Sequence, residues 1–187
     1  PGMMIVKDRT GASNWVVYHQ NLGATKFLNL NNSNAVVTGS TVWNDTEPSA
    51  SVFTVGTANA VNNGARNYIA YLFAAIEGFS ALGAYTGNGN ADGPFVWCGF
   101  RPAFIMFRRT DVGNSWTMYD STREIDNYKH LEIYGEVAIA EYASSQQVDF
   151  LAGGFELRST GSHLNASSGN HIYMAFAENP FKYARAA

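Results

Sequence analysis

The strongest constraint on this chain is that it repeats itself. Pro1-Gly-Met-Met-Ile-Val-Lys-Asp, a polar run and Trp15-Val-Val-Tyr18 open it. Pro102-Ala-Phe-Ile-Met-Phe-Arg-Arg, another polar run and Trp116-Thr-Met-Tyr119 restate that opening. The prolines, tryptophans and tyrosines each stand 101 residues apart with no gap between them, and Lys7 falls opposite Arg108. Each unit reads as a proline that opens a strand, where its missing N–H costs the ladder nothing, then a turn and a second strand. The match continues with Lys26-Phe-Leu-Asn-Leu30 on Lys129-His-Leu-Glu-Ile133 and Phe53-Thr-Val55 on Phe155-Glu-Leu157. It ends with Asn67-Tyr-Ile-Ala-Tyr-Leu-Phe-Ala74 on Asn170-His-Ile-Tyr-Met-Ala-Phe-Ala177. The offset moves by one or two residues, and only between apolar segments, as loop insertions make it do. Five matched segments in one order make a tandem duplication, divided here into residues 1–82 and 83–187.

Such a repeat needs a core, and 46% apolar against 14% charged residues supplies one. Eighteen glycines and ten tyrosines suit short strands joined by tight turns. A net charge of −3 argues against a nucleic-acid surface, which concentrates Lys and Arg. The single cysteine, Cys98, forms no internal disulfide. The longest apolar run, Tyr68 to Ile76, falls well short of the roughly 20 residues of a membrane helix. His19, His130, His163 and His171 show no metal-ligand spacing, so no metal or cofactor is expected. Gly87-Asn-Gly-Asn-Ala-Asp92 lacks the alternating acids of a calcium loop and reads as a turn. Asp120, Glu124, Glu132, Asp149 and Glu156 are scattered, with no acid pair that the sequence can place.

Period-2 alternation dominates the apolar segments. Trp15 and Trp116 share parity with Val17 and Met118 and are expected in the cores. Ile69–Phe73 and Ile172–Phe176 read as central strands buried on both faces. Tyr18 and Tyr119 lie across their strands from the tryptophans, facing solvent, the other repeat or another subunit. A tyrosine beside Asp120 and Arg123 offers an aromatic face to a sugar ring and polar groups to orient it. Tyr18, Tyr119, Asp120 and Arg123 are therefore the candidate glycan or subunit contact.

Gly83-Ala-Tyr-Thr-Gly-Asn-Gly89, Gly99-Phe-Arg-Pro-Ala-Phe-Ile-Met-Phe-Arg108, Trp116-x-x-Tyr-Asp120-x-x-Arg123, Gly154-Phe-Glu-Leu157 and Asn170-His-Ile-Tyr-Met-Ala-Phe176 resemble a repeated domain of bacteriophage and prophage tail and tail-fibre-like proteins. Pro1–Lys7, Trp15–His19, Val42-Trp-Asn-Asp-Thr46 and Ser51–Gly56 resemble its more upstream copy. The resemblance carries no catalytic motif. It implies a non-enzymatic virion component, a tail-fibre or spike module that is structural or receptor-binding. Its partners would be other virion subunits, copies of itself in a homo-oligomer, and a host surface glycan; neither nucleic acid nor membrane insertion is expected. A lectin-like adhesion module is the alternative, and a polysaccharide-degrading domain is disfavoured.

The expected fold is all-β: two antiparallel sandwiches of jelly-roll type, one per repeat, packed side by side. The alternative is a single larger lectin-like sandwich. Repeat two carries a prelude, Tyr85-Thr86 and Phe95–Phe100, whose Phe95, Trp97 and Phe100 should cover part of the sandwich. Repeat one has none, and the polar tail Lys182–Ala187 is too short to replace it. An open edge or an intermolecular contact is therefore expected around Pro1–Lys7, closed by upstream residues or by a neighbouring chain.

Overall fold

The computed structural model describes residues 1–180; the tail Lys182–Ala187 lies outside them. The chain is all-β with antiparallel sheets. Its strands are β1 (Met3–Asp8), β2 (Trp15–His19), β3 (Lys26–Asn29), β4 (Val37–Thr38), β5 (Tyr68–Phe73), β6 (Ser80–Thr86), β7 (Phe95–Trp97), β8 (Pro102–Arg109), β9 (Thr117–Asp120), β10 (Tyr128–Tyr134), β11 (Tyr142–Leu151), β12 (Gly154–Leu157) and β13 (Asn170–Ala177). Two single-turn helices, α1 (Ser40–Trp43) and α2 (Ser162–Asn165), sit in the long connections. One sheet runs β4-β3-β2-β1-β5, the other β6-β13-β8-β9-β10-β11-β12-β7.

The order β3-β2-β1-β5 recurs as β10-β9-β8-β13, and the register recurs with it. Met3 faces Phe73 as Phe104 faces Phe176, and Ile5 faces Val17 as Met106 faces Met118. A side-chain bond recurs too. Asn62 Nδ2 donates to the Gly56 carbonyl at 2.9 Å, and Asn165 Nδ2, 103 residues on, donates to the Ser159 carbonyl at 2.9 Å.

Alternation sends each strand's two sets of side chains into two different cores. Met3, Ile5, Val17 and Leu28 of the first sheet meet Leu82, Met106, Trp116, Ile172 and Met174 of the second. The sheets thus pack face to face through the tryptophan-bearing sides of both repeats. Trp116 is 1% exposed and its indole N–H donates to the Asn29 carbonyl at 2.9 Å. Trp15 is only half-buried. Behind the first sheet, Met4, Val6, Val16 and Tyr18 pack on Val42, Trp43 and Val61 from α1 and the loop after it. Behind the second, the sheet curls towards a barrel, bringing Val96, Phe150, Phe155 and Leu157 onto Ile105, Phe107, Tyr119 and Tyr173.

Three expectations need correction. Strand β5 is not central: among the described residues it pairs with β1 alone, and Tyr71 and Leu72 are 43% and 51% exposed. Its sequence matches that of β13, but β13 has β6 on its second side and is buried. The open edge lies accordingly at β5 and not at Pro1–Lys7, because β1 is held between β2 and β5. Strand β6 begins at Ser80 and belongs to the second sheet, so a division at 82/83 cuts through it.

Candidate functional site

Of the four residues selected for contact, the two tyrosines are not on the surface. Both faces of β2 and β9 are covered, so the parity opposite the tryptophans leads into a second core and not into solvent. Tyr18 is buried, its hydroxyl donating to Glu47. Tyr119 is buried as well, and burial together with the Glu132 carboxylate holds its pKa well above the usual phenol value. Asp120 and Arg123 clamp the turn between β9 and β10. Asp120 Oδ1 accepts the backbone N–H groups of Thr122 and Arg123 at 3.0 and 2.9 Å, and Oδ2 pairs with Arg123 Nε at 2.5 Å. Arg123 also donates to the Leu131 carbonyl at 3.0 Å and pairs with Glu141. Burial would raise the Asp120 pKa, but these bonds from Arg123 outweigh it and lower it. The geometry therefore places both tyrosines in the cores and gives Asp120 and Arg123, both partly exposed, the clamping of a turn.

Glu132 is a second interior tie. It is buried on β10 and accepts the Tyr134 hydroxyl at 2.6 Å, with His163 Nε2 at 3.3 Å linking it to α2. Burial opposes its ionisation, yet the His163 and Tyr134 bonds win and depress its pKa. Among the described residues, no three His, Cys, Asp or Glu side chains gather as a metal site. A polar cleft of about 310 Å³ separates the Asn21–Lys26 turn from Thr86, Thr110 and Asn170, at the junction of the repeats.

The surface with chemistry to offer is the outer side of β7, β12 and β11. In β7, Val96 points into the barrel core, and Phe95 and Trp97 point out, 48% and 69% exposed. Their rings meet edge to face with centroids 6.4 Å apart. The expectation that Phe95, Trp97 and Phe100 cover the sandwich is therefore corrected for the first two; Phe100 packs on the core, joined by Val96. Trp97 lies over the Gly153-Gly154 turn. A Cβ on Gly153 would come within 2.3 Å of the indole six-membered ring, so the bare backbone is the floor on which the ring rests.

Register sets polar groups beside this aromatic pair. Phe95 is opposite Glu156, and Glu156 is opposite Asp149, all of one outward parity. The Arg158 guanidinium joins both acids, at 2.8 Å to Glu156 and 2.7 Å to Asp149. An exposed indole beside a fixed row of carboxylates and a guanidinium can stack on the C–H face of a sugar and hydrogen-bond its hydroxyls. Cys98, next to Trp97, adds no reactivity, since burial pushes its thiol up to about 12. Two signals in the sequence pointed here: aromatics at i and i+2 around a β-branched residue, and a Gly-Gly turn able to pass beneath a large ring.

The family model that matches this chain spans both repeats, from residue 1 to residue 180. The chain belongs to the family described as Domain of unknown function (DUF7483). The DUF7483 unit is thus the duplicated pair, consistent with a central core to which both halves contribute. No curated protein and no solved structure matches the chain.

Proposed function

We propose that this DUF7483 chain is a non-enzymatic module of a bacteriophage virion, placed in a tail fibre or spike, that meets a host surface glycan through Phe95 and Trp97. Its two repeats are read as jelly-roll-type units that share their tryptophan-bearing faces, and its partners as further virion subunits, copies of itself among them. The virion reading rests on the likeness of the motifs to tail-fibre repeats. The observation that carries the glycan reading is Trp97, exposed and set against Gly153 on the same outer surface as the Arg158-bridged acids. Both acids are engaged by one guanidinium, an arrangement that suits holding hydroxyls better than protonating a leaving group. The same face would serve a lectin-like adhesion module outside a phage.

Bacterial surface polysaccharides on an array test the reading. Loss of the stacked ring in Trp97→Ala removes about 1–2 kcal/mol, so affinity for a bound glycan should fall roughly 5- to 30-fold with an unchanged melting temperature. Incubation should release no new reducing ends. Binding that is indifferent to Trp97→Ala and Phe95→Ala, or release of reducing ends, refutes the proposal. Immunogold labelling of phage particles then separates a virion component from a free adhesin.

A further inference from the structure

The second repeat fills a space that the first leaves open. The two turns that border this space repeat bond for bond. Val61 and Asn62 donate their N–H groups to the Ala58 carbonyl at 3.0 and 2.9 Å, and Leu164 and Asn165 donate theirs to the Gly161 carbonyl at 3.1 and 2.8 Å. His163 is therefore the counterpart of Ala60, just as Glu132 is the counterpart of Asn29, each pair 103 residues apart. In the second repeat the His163 imidazole meets the Glu132 carboxylate of β10 at 3.3 Å. In the first, a methyl group stands in place of that imidazole, and Ala60 and Asn29 line one cavity of about 410 Å³. Asn29 is only 8% exposed, and its side-chain Oδ1 is buried with no hydrogen-bond partner among the described residues. An unpaired polar atom in the interior is costly, and the second repeat satisfies the same position with its own side chain.

We propose that this cavity is a binding site for a single neutral pyranose ring, held by Asn29 where the second repeat has its own imidazole. The lining sets the chemistry. Among the described residues, none of the side chains that line it is ionisable. A charged ligand would enter without a counter-ion and lose its hydration. Phe27 and Asn29 lie on one face of β3, and Val16 of β2 pairs with Asn29, so an aromatic ring, a branched aliphatic group and an amide meet at the inner end. Thr38, Thr41 and Asn14 line the cavity too, and they are exposed and stand at its mouth. Apolar walls suit the C–H faces of a sugar, and amides and hydroxyls suit its edge. The Asn29 amide carries both an acceptor and donors, so it can accept from one hydroxyl and donate to the next. The volume lies towards the lower end of ligand-pocket sizes, which fits one ring and not a chain of them. The site belongs to the first repeat, shares no residue with the Trp97 face and does not depend on it.

Methyl glucopyranoside and methyl galactopyranoside are the probes, titrated into the intact chain and followed by NMR through the methyl signals of Val42, which lines the cavity. At least one of the two should shift those signals saturably. The methyl glucuronide, which adds a carboxylate, should bind more weakly by roughly tenfold or more. Ala60→His gives the first repeat the plug that the second already has. It should weaken the sugar by a similar factor at an unchanged or raised melting temperature. Asn29→Leu exchanges an unpartnered buried amide for an apolar group of like size, so the fold loses no bond. It should abolish binding without lowering the melting temperature, and it decides the matter if the histidine variant proves unstable. Trp97→Ala should leave the affinity as it was. No saturable shift up to about 10 mM of either sugar, equal binding of the glucuronide, or binding that survives both Ala60→His and Asn29→Leu overturns the proposal. So does loss of binding in Trp97→Ala, which would put the sugar on the other face.

Discussion

Replacing the two equivalent tryptophans with alanine should give unequal losses, although the repeat makes them look alike. Trp116 is fully buried in the core between the sheets, and truncating a buried tryptophan costs about 3–5 kcal/mol. Its indole N–H is the donor to the Asn29 carbonyl, and leaving that carbonyl unpaired in the interior adds roughly 1 kcal/mol. Arg108 Cζ stands 5.4 Å from the ring centroid, and burial lowers that arginine's pKa to about 10, so losing the aromatic face removes part of what compensates a desolvated charge. The total for Trp116→Ala is about 4–6 kcal/mol, a large share of a typical domain's 5–15 kcal/mol. Trp15 is half-buried and stacks on the exposed Tyr71 at 6.3 Å between centroids, so Trp15→Ala should lose about 2 kcal/mol. For a chain of this size the two should lower the melting temperature by roughly 10–20 °C and 4–8 °C. Urea titration followed by far-UV circular dichroism and by the remaining tryptophans measures both. Because the central core takes side chains from each repeat, each variant should unfold in a single transition. Equal losses, or a split transition in which one half melts alone, would refute the shared core as the seat of stability.

Acid should weaken the fold through two buried imidazoles. Burial depresses His19 and His171 to about 4, so each is neutral when folded and protonates near 6.5 when unfolded. Their contribution is complete above pH 6.5 and is lost as pH falls towards 4, by up to about 3 kcal/mol each. A His19→Gln variant should flatten the slope of melting temperature between those limits, and an unchanged slope would show that His19 is not neutral in the fold. The adjacent glycines of the β11–β12 turn should part company. A Cβ on Gly154 would sit 2.0 Å from the Val96 carbonyl oxygen, so Gly154→Ala must separate β12 from β7 and should cost over about 3 kcal/mol. Gly153→Ala first meets the Trp97 side chain, which can swing away. It should keep most of the stability and lose glycan affinity; intrinsic fluorescence and the array distinguish the two.

Much of the fold was legible because the repeat and the alternation are local signals. They placed the Trp-x-x-Tyr strands and the strand pair Ile69–Phe73 and Ile172–Phe176. They could not tell how many layers lie over a strand, and hence misplaced Tyr18 and Tyr119: alternation separates two faces but does not say that both are covered. The exposure of β5 was hidden for a related reason. Its sequence is that of a buried strand, and the lack of a β6 equivalent beside it is a property of the assembly of strands, not of the strand. Strand β11 went unread because Ser144-Ser-Gln-Gln147 has no apolar alternation, although its second half carries Val148 and Phe150 into the barrel core. The acids Asp149 and Glu156 read as scattered until that strand paired with β12.

The duplication itself restricts where binding can occur. A repeat that buries the tryptophan side of its sheet against its twin, and the tyrosine side against its own loops or remaining strands, leaves no free face on its Trp-x-x-Tyr strand. Residues that match between the halves, Trp15 with Trp116 and Tyr18 with Tyr119, are therefore the ones least available to a ligand. What remains is where the halves differ. The β6–β7 segment joins the second sheet, and its β7 carries Phe95 and Trp97 on an outer surface.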